Sequence, residues 1–182
     1  MAIQGATSAQ VAADSKLKEL LIEQLQDIYW AEKKLVKAIG KMEDAATSNQ
    51  LKQAFATHQQ QTKTHISRLE QVFASIGQEA DTTKCPAMAG IIDEANDIID
   101  ETEEGTAQRD AALILAAQKA EHYEIASYGG LAQLAETLGY TEAKSLLGQT
   151  LEEEKQTDQL LTQIAKSSAN VQASQEPSTT NM

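Results

Sequence analysis

The stretch AQKAEHYEIASYGGLAQLAETLG, residues 117–139, reads as one face of a long helix. Ala117, Glu121, Glu124, Tyr128, Leu131, Ala135 and Leu138 recur at alternating steps of four and three. That spacing stacks side chains along one line of an α-helix. The line is apolar at its C-terminal end, carries two carboxylates near its middle, and stops at Gly139, a residue suited to the left-handed position after a helix. An apolar stripe interrupted by acid is a costly pattern, and the other long segments repeat it.

Working outward, residues 142–166 form a partner helix capped by Thr141, with Leu147, Leu151, Glu154, Asp158 and Leu161 on its inner line. Near the N-terminus, residues 16–46 carry Leu17, Leu21, Leu25, Ile28, Leu35, Ile39 and Met42 at helical spacing, with Glu32 among them and Ser15 as cap. Ser48 caps a second helix over 49–76, whose inner line reads Leu51, Phe55, His58, Gln61/Thr62, His65, Leu69, Val72 and Ile76 before Gly77 ends it. A shorter amphipathic helix is expected over 88–103, ending at Gly105-Thr106, which offers a cap for the next helix at 107–138.

The connections set the topology. The first and second helices, and the last two, are joined by tight turns and so form antiparallel hairpins. The hairpins are linked by a long crossover (residues 77–106) that carries its own helix. The chain is therefore expected to be all-α, a ferritin-like four-helix bundle with one long crossover carrying a short fifth helix. The bundle takes residues 15–167; residues 1–14 and 168–182, rich in Ala, Ser, Thr and Gln, read as disordered tails.

Composition agrees: aromatics are 4% and there are two prolines, which favours helix over strand. A net charge of −12 opposes binding to nucleic acid or an anionic membrane surface. No apolar run approaches the roughly 18 residues a membrane helix needs. The first thirteen residues lack the basic and apolar pattern of a secretory signal, so the protein is expected in the cytoplasm. A lone cysteine, Cys85, excludes an internal disulfide and reads as a plain loop residue.

Depth turns four weak signals into one. Reflection through a turn near residue 48 sets Glu32 opposite residue 64, between Gln61 and His65. Reflection through a turn near 140 sets Glu121 and Glu124 opposite residues 159 and 156, bracketing Glu154 and Asp158. Five carboxylates thus converge at one level, with no lysine or arginine on those lines, and crowded buried anions require positive partners. Carboxylate and imidazole ligands suit two divalent ions, iron or manganese foremost, with zinc as an alternative. The candidate ligands are Glu32, His58, Gln61, His65, Glu121, Glu124, Glu154 and Asp158. His122 falls off the line, and Tyr29 and Tyr128 read mainly as packing.

The segments DIYWAEKKL (27–35), Lys84-Cys85 with Met88 and Gly90, RDAALI (109–114), EHYEIASYG (121–129) and LEEEKQTD (151–158) resemble the YciF/YciE stress-protein family over residues 16–166. The resemblance implies a rubrerythrin-like fold, a dinuclear metal site, a homodimer and a role under stress. It points to the same Glu, His and Asp positions, while Gln61 stands in the segment where that family carries glutamate. Two functions stay open: a dinuclear metal protein acting on oxygen or peroxide as an oxidase or peroxidase, and a non-catalytic dimeric bundle with a structural or interaction role. Iron storage is a third and weaker reading.

Overall fold

The first four helices each begin where a side chain can accept an otherwise unpaired backbone N–H. In a computed structural model, which describes residues 15–178, Ser15 accepts from Lys18 N and opens α1, Lys16–Ala45. Ser48 accepts from Leu51 N and opens α2, Asn49–Ser75. Cys85 takes this role for α3, Pro86–Glu101, its Sγ accepting from Met88 N at 3.2 Å with Pro86 at the first helical position. Thr106 accepts from Arg109 N and opens α4, Ala107–Thr137. Thr141 departs from its expected role. It is the first helical residue of α5, Thr141–Ile164, and Tyr140 precedes it without a side-chain cap.

α2 and α4 end as the glycines after them require. Gly77 has φ +72° and Gly139 φ +76°, which residues with a β-carbon rarely adopt. These conformations let Gln78 N reach Phe73 O and Tyr140 N reach Ala135 O, both at 2.9 Å, closing each helix on its own last turn.

α1, α2, α4 and α5 form the bundle, and α3 lies along α1 and α4. α4 starts beside the α1–α2 turn: Asp110 accepts from Thr47 N at 2.6 Å and Ser48 N at 2.9 Å, and Thr47 Oγ1 donates to Thr106 O. Arg109 ties the same corner to the end of α3 by donating to Thr102 Oγ1 at 3.1 Å and Ile99 O at 2.9 Å. The crossover therefore runs the length of the bundle, and α4 descends antiparallel to α1. The expected all-α bundle with its helix-bearing crossover is what the chain forms. No described helix is long and apolar enough to cross a membrane.

The end of the chain departs from the expected tail. The helical path passes Lys166 through one π-turn, Ala165–Ala169, and a last turn, Asn170–Ala173. Ile164 and Ala169 are buried, which anchors this extension. Beyond it, Glu176 accepts from Ala107 N at 2.7 Å and Gln108 N at 2.9 Å, placing a carboxylate at the positive end of α4. Ala-, Ser- and Gln-rich composition hid this extension, because its anchor is a single alanine. The expected tail at 1–14 lies outside the described residues.

Candidate metal centre

Heptad-like stepping brings acid to the core only where it keeps phase with the apolar residues around it. Glu32 follows Ile28 by four, so α1 carries it into the interior. On α4, Glu121 and Glu124 share the line of Ala117, Tyr128 and Leu131. On α5, Leu147, Thr150, Glu154, Thr157, Leu161 and Ile164 make the buried line. α2 contributes Phe55, His58, Thr62, His65 and Leu69. Glu32, Glu121, Glu124 and Glu154 are each at most 1% exposed, and His65 is fully buried.

Two of the expected ligands are not brought in. Thr62, four residues after His58, takes the inner position, so Gln61 turns about 100° away and lines an open surface groove with Thr57, Gln60 and Thr64. Thr157 likewise takes the inner position on α5. Asp158 faces α4 instead, accepting from Gln118 Nε2 at 2.9 Å and lying 3.4 Å from the 70% exposed His122. The alternation of three and four admits two phases at such points; the expected line leaves Gln61 and Thr62 both open on α2 and takes Asp158 on α5, and the structure turns Thr62 and Thr157 inward.

The remaining six make two overlapping groups. Glu32, His65 and Glu154 form one; His58, Glu121, Glu124 and Glu154 form the other. Within each, one ligand atom per residue lies within 4.8 Å of all the rest. Glu154 belongs to both. His65 Nδ1 is 3.0 Å from Glu154 Oε1 and 3.6 Å from Glu32 Oε1. His58 Nε2 is 3.1 Å from Glu121 Oε1, and His58 Nδ1 is 4.0 Å from Glu154 Oε2.

Six buried atoms here make no well-formed hydrogen bond, the close approach of His65 Nδ1 to Glu154 Oε1 notwithstanding: Glu32 Oε2, His65 Nδ1, Glu121 Oε2, Glu124 Oε2 and both oxygens of Glu154. Native interiors leave few such groups, and each costs on the order of 1–3 kcal/mol. Among the described residues no lysine or arginine pairs with these four carboxylates. Burial raises the pKa of Glu32 and lifts that of Glu121 to about 7, while burial and the neighbouring Glu154, Glu32 and Glu121 hold Glu124 well above the usual range. Burial opposes charge on the histidines, but the surrounding carboxylates prevail and push His58 up to about 9 and His65 up to about 10. Without a metal, the cluster holds protons to offset its own charge.

The donor set fits a pair of divalent ions. Four carboxylates balance two doubly charged cations when both imidazoles are neutral, and the orphaned atoms are lone-pair donors facing inward. The outer nitrogen of each imidazole is occupied. His65 Nε2 sits 2.8 Å from Glu153 Oε2, and Glu153 is gripped by both Arg68 Nη atoms. His58 Nδ1 meets Thr157 Oγ1 at 3.4 Å, where the hydroxyl's proton already goes to Glu153 O. Tyr128 Oη donates to Glu32 Oε1, so it has a polar role that a packing assignment had missed.

Glu153 and Arg68 also escaped sequence reading. The available signal was Arg68 lying one helical turn after His65, with an acid directly beside the inner Glu154. Cys85 is not a plain loop residue either. It is buried, caps α3 and lies 3.0 Å from Tyr123 Oη, which donates to Asp27 Oδ2. Burial pushes its thiol pKa up.

Helices converging carboxylates and imidazoles on the middle of a bundle define the class: an all-helical bundle with a buried cluster of Glu and His side chains that could hold metal ions. The chain belongs to the family described as Domain of unknown function (DUF892), whose model matches residues 16–174. It is 49% identical over 158 residues to Protein YciF of Escherichia coli (strain K12), covering 86% of this chain and 95% of that protein. The crystal structure of the E. coli stress protein YciF superposes with a TM-score of 0.81 at 46% identity, covering 90% of this chain and 100% of that one. YcfI of Rhodopseudomonas palustris, for which a structural role is suggested, superposes with a TM-score of 0.79 at 39% identity, covering 81% and 94%. A Xanthomonas campestris pv. campestris protein, 19% identical with a TM-score of 0.66, shares the fold, covering 83% and 92%.

Proposed function

We propose that this protein is a ferritin-like dinuclear metal protein that binds iron or manganese and serves in a stress response by consuming oxygen or peroxide. The observation that carries the reading is Glu154. It stands in both ligand groups, fully buried, with neither oxygen in a well-formed hydrogen bond although His65 Nδ1 approaches Oε1 to 3.0 Å, as a carboxylate shared between two ions would be. Glu32 and His65 would complete one site, and His58, Glu121 and Glu124 the other. A bound redox-active metal pair would supply electrons to a small oxidant.

The chain's own residues do the rest. Glu153, held by Arg68, fixes the His65 ring and its tautomer; Thr157 does the same for His58; Tyr128 pins Glu32. The apolar residues above and below the polar level exclude bulk water and so strengthen each charge interaction within it. A cytoplasmic homodimer, free of nucleic acid and membrane, belongs to the same reading and accords with the −12 charge.

Metal analysis of protein purified from cells supplied with iron and manganese tests it. About two equivalents per chain are expected for the wild type, and loss of both in Glu154→Ala, because that residue serves both sites. Under a purely structural role the wild type would carry less than about half an equivalent. In that case Glu154→Leu would raise the melting temperature by removing a buried charge.

A further inference from the structure

A small cavity borders the polar centre on the side of the crossover helix. It measures about 20 Å³, room for the centre of one water-sized molecule, and lies between α1, α3 and α4. His58 and Glu121 close its inner end, while Ala116, Ala117 and Ala120 of α4 form one wall. Ala95 of α3 faces it, with Ile92 and Ala38 on the outer side. Ile92 and Ala38 also line an open surface groove, so these two side chains lie between that groove and the cavity.

The chemistry of the wall selects its occupant. A buried water needs two to four polar partners. Here the polar lining is confined to one end, where His58 Nε2 and Glu121 Oε1 face each other at 3.1 Å, which leaves Glu121 Oε2 as a single acceptor without a partner, fewer than a water needs. Hydrogen peroxide, with two donors and four acceptor lone pairs against water's two and two, would lose still more hydrogen bonds than water. An apolar diatomic gives up none. Keeping alanine at three positions of α4 also leaves a void that leucine would fill, and voids of methyl size cost on the order of 1 kcal/mol.

We propose that this cavity is a binding site for dioxygen, placed so that the gas reaches the His58–Glu121 side of the metal centre from beneath α3. The inference rests on the dinuclear reading for its purpose. It narrows the oxidant to dioxygen, with peroxide excluded from this route.

Xenon is the probe, because it fills apolar cavities without needing metal or turnover. Crystals of the full-length protein pressurised with xenon should show a peak between Ala117, Ala95 and Glu121. Ala117→Leu should abolish that peak. In ferrous-loaded protein it should slow oxidation by dissolved dioxygen roughly tenfold, with the iron stoichiometry unchanged. Ile92→Ala, which opens the groove side of the cavity rather than overpacking it, should raise xenon occupancy and leave oxidation at least as fast. It keeps the test intact if Ala117→Leu does not fold. Iron binding without a xenon peak, or an ordered water in its place, overturns the gas site and leaves the metal reading standing. A xenon peak in protein that takes up no metal overturns the metal reading instead. An unchanged oxidation rate in Ala117→Leu without xenon also overturns the proposed route.

Discussion

His65 is held from two sides that do different things. Its Nδ1 faces Glu32 and Glu154, and its Nε2 meets Glu153, whose own charge is spent on Arg68. With Nε2 carrying the proton, Nδ1 presents a lone pair inward, which is the tautomer a metal needs. Replacing Glu153 by Gln keeps the shape but weakens the acceptor, and metal affinity at the Glu32–His65 site should fall about tenfold. Competition titration against a chelator of known affinity would show it; an unchanged affinity would mean that Glu153 only shields Arg68. The ligands on the lines of Glu32, Glu121, Glu124 and Glu154 were legible from sequence because their neighbours at three and four residues are apolar and fix the phase. Gln61 and Asp158 were misplaced because Thr62 and Thr157 are small polar residues that look equally suited to either face. Glu153 was hidden because nothing in a run of three glutamates marks which one turns toward Arg68.

Helix ends show the same division. Ser15, Ser48, Thr106, Gly77 and Gly139 mark boundaries by local chemistry, and the structure places all five where that chemistry predicts. What no local rule could supply was the corner at which α4 meets the α1–α2 turn. There Asp110, 3% exposed, accepts two N–H groups from a segment more than sixty residues away. Removing the carboxylate takes the acceptor from two half-buried N–H groups in the turn of the first hairpin. Asp110→Ala should therefore destabilise the fold by about 2 kcal/mol, lowering the melting temperature by roughly 4–8 °C. Metal stoichiometry at saturation should not change, since the corner lies well above the polar level. Calorimetry of the variant checks the first expectation, and a melting temperature equal to the wild type would show that water replaces the carboxylate at that corner. The crossover was legible because a break of this length between paired hairpins leaves few topologies. Its seating was not, because it depends on Asp110 and Arg109 meeting distant backbone.

At the scale of the whole molecule, the polar centre sets how stability responds to pH. In the metal-free protein His58 and His65 titrate at about 9 and about 10, above the ordinary histidine value. Their stabilising contribution is complete below about pH 6.5 and is lost as pH rises through those higher values. Glu32, Glu121 and Glu124 are also raised, so the folded chain keeps protons that the unfolded chain releases above about pH 4.5, and this too costs stability as pH rises. Both sets of groups point the same way: the metal-free fold should weaken steadily from about pH 5 to about pH 10. Divalent ions reverse the balance, because they take the place of those protons and bind more tightly as the protons leave. At 100 to 1,000 times the dissociation constant they add about 3–4 kcal/mol, roughly 6–16 °C in melting temperature for a chain of this size. Thermal melts in chelator and in excess manganese, run from pH 6 to pH 9, should diverge as pH rises. Melting curves that coincide across that range would mean that the carboxylates of the bundle meet no cation, and that proton sharing with His58 and His65 is the whole of their charge balance.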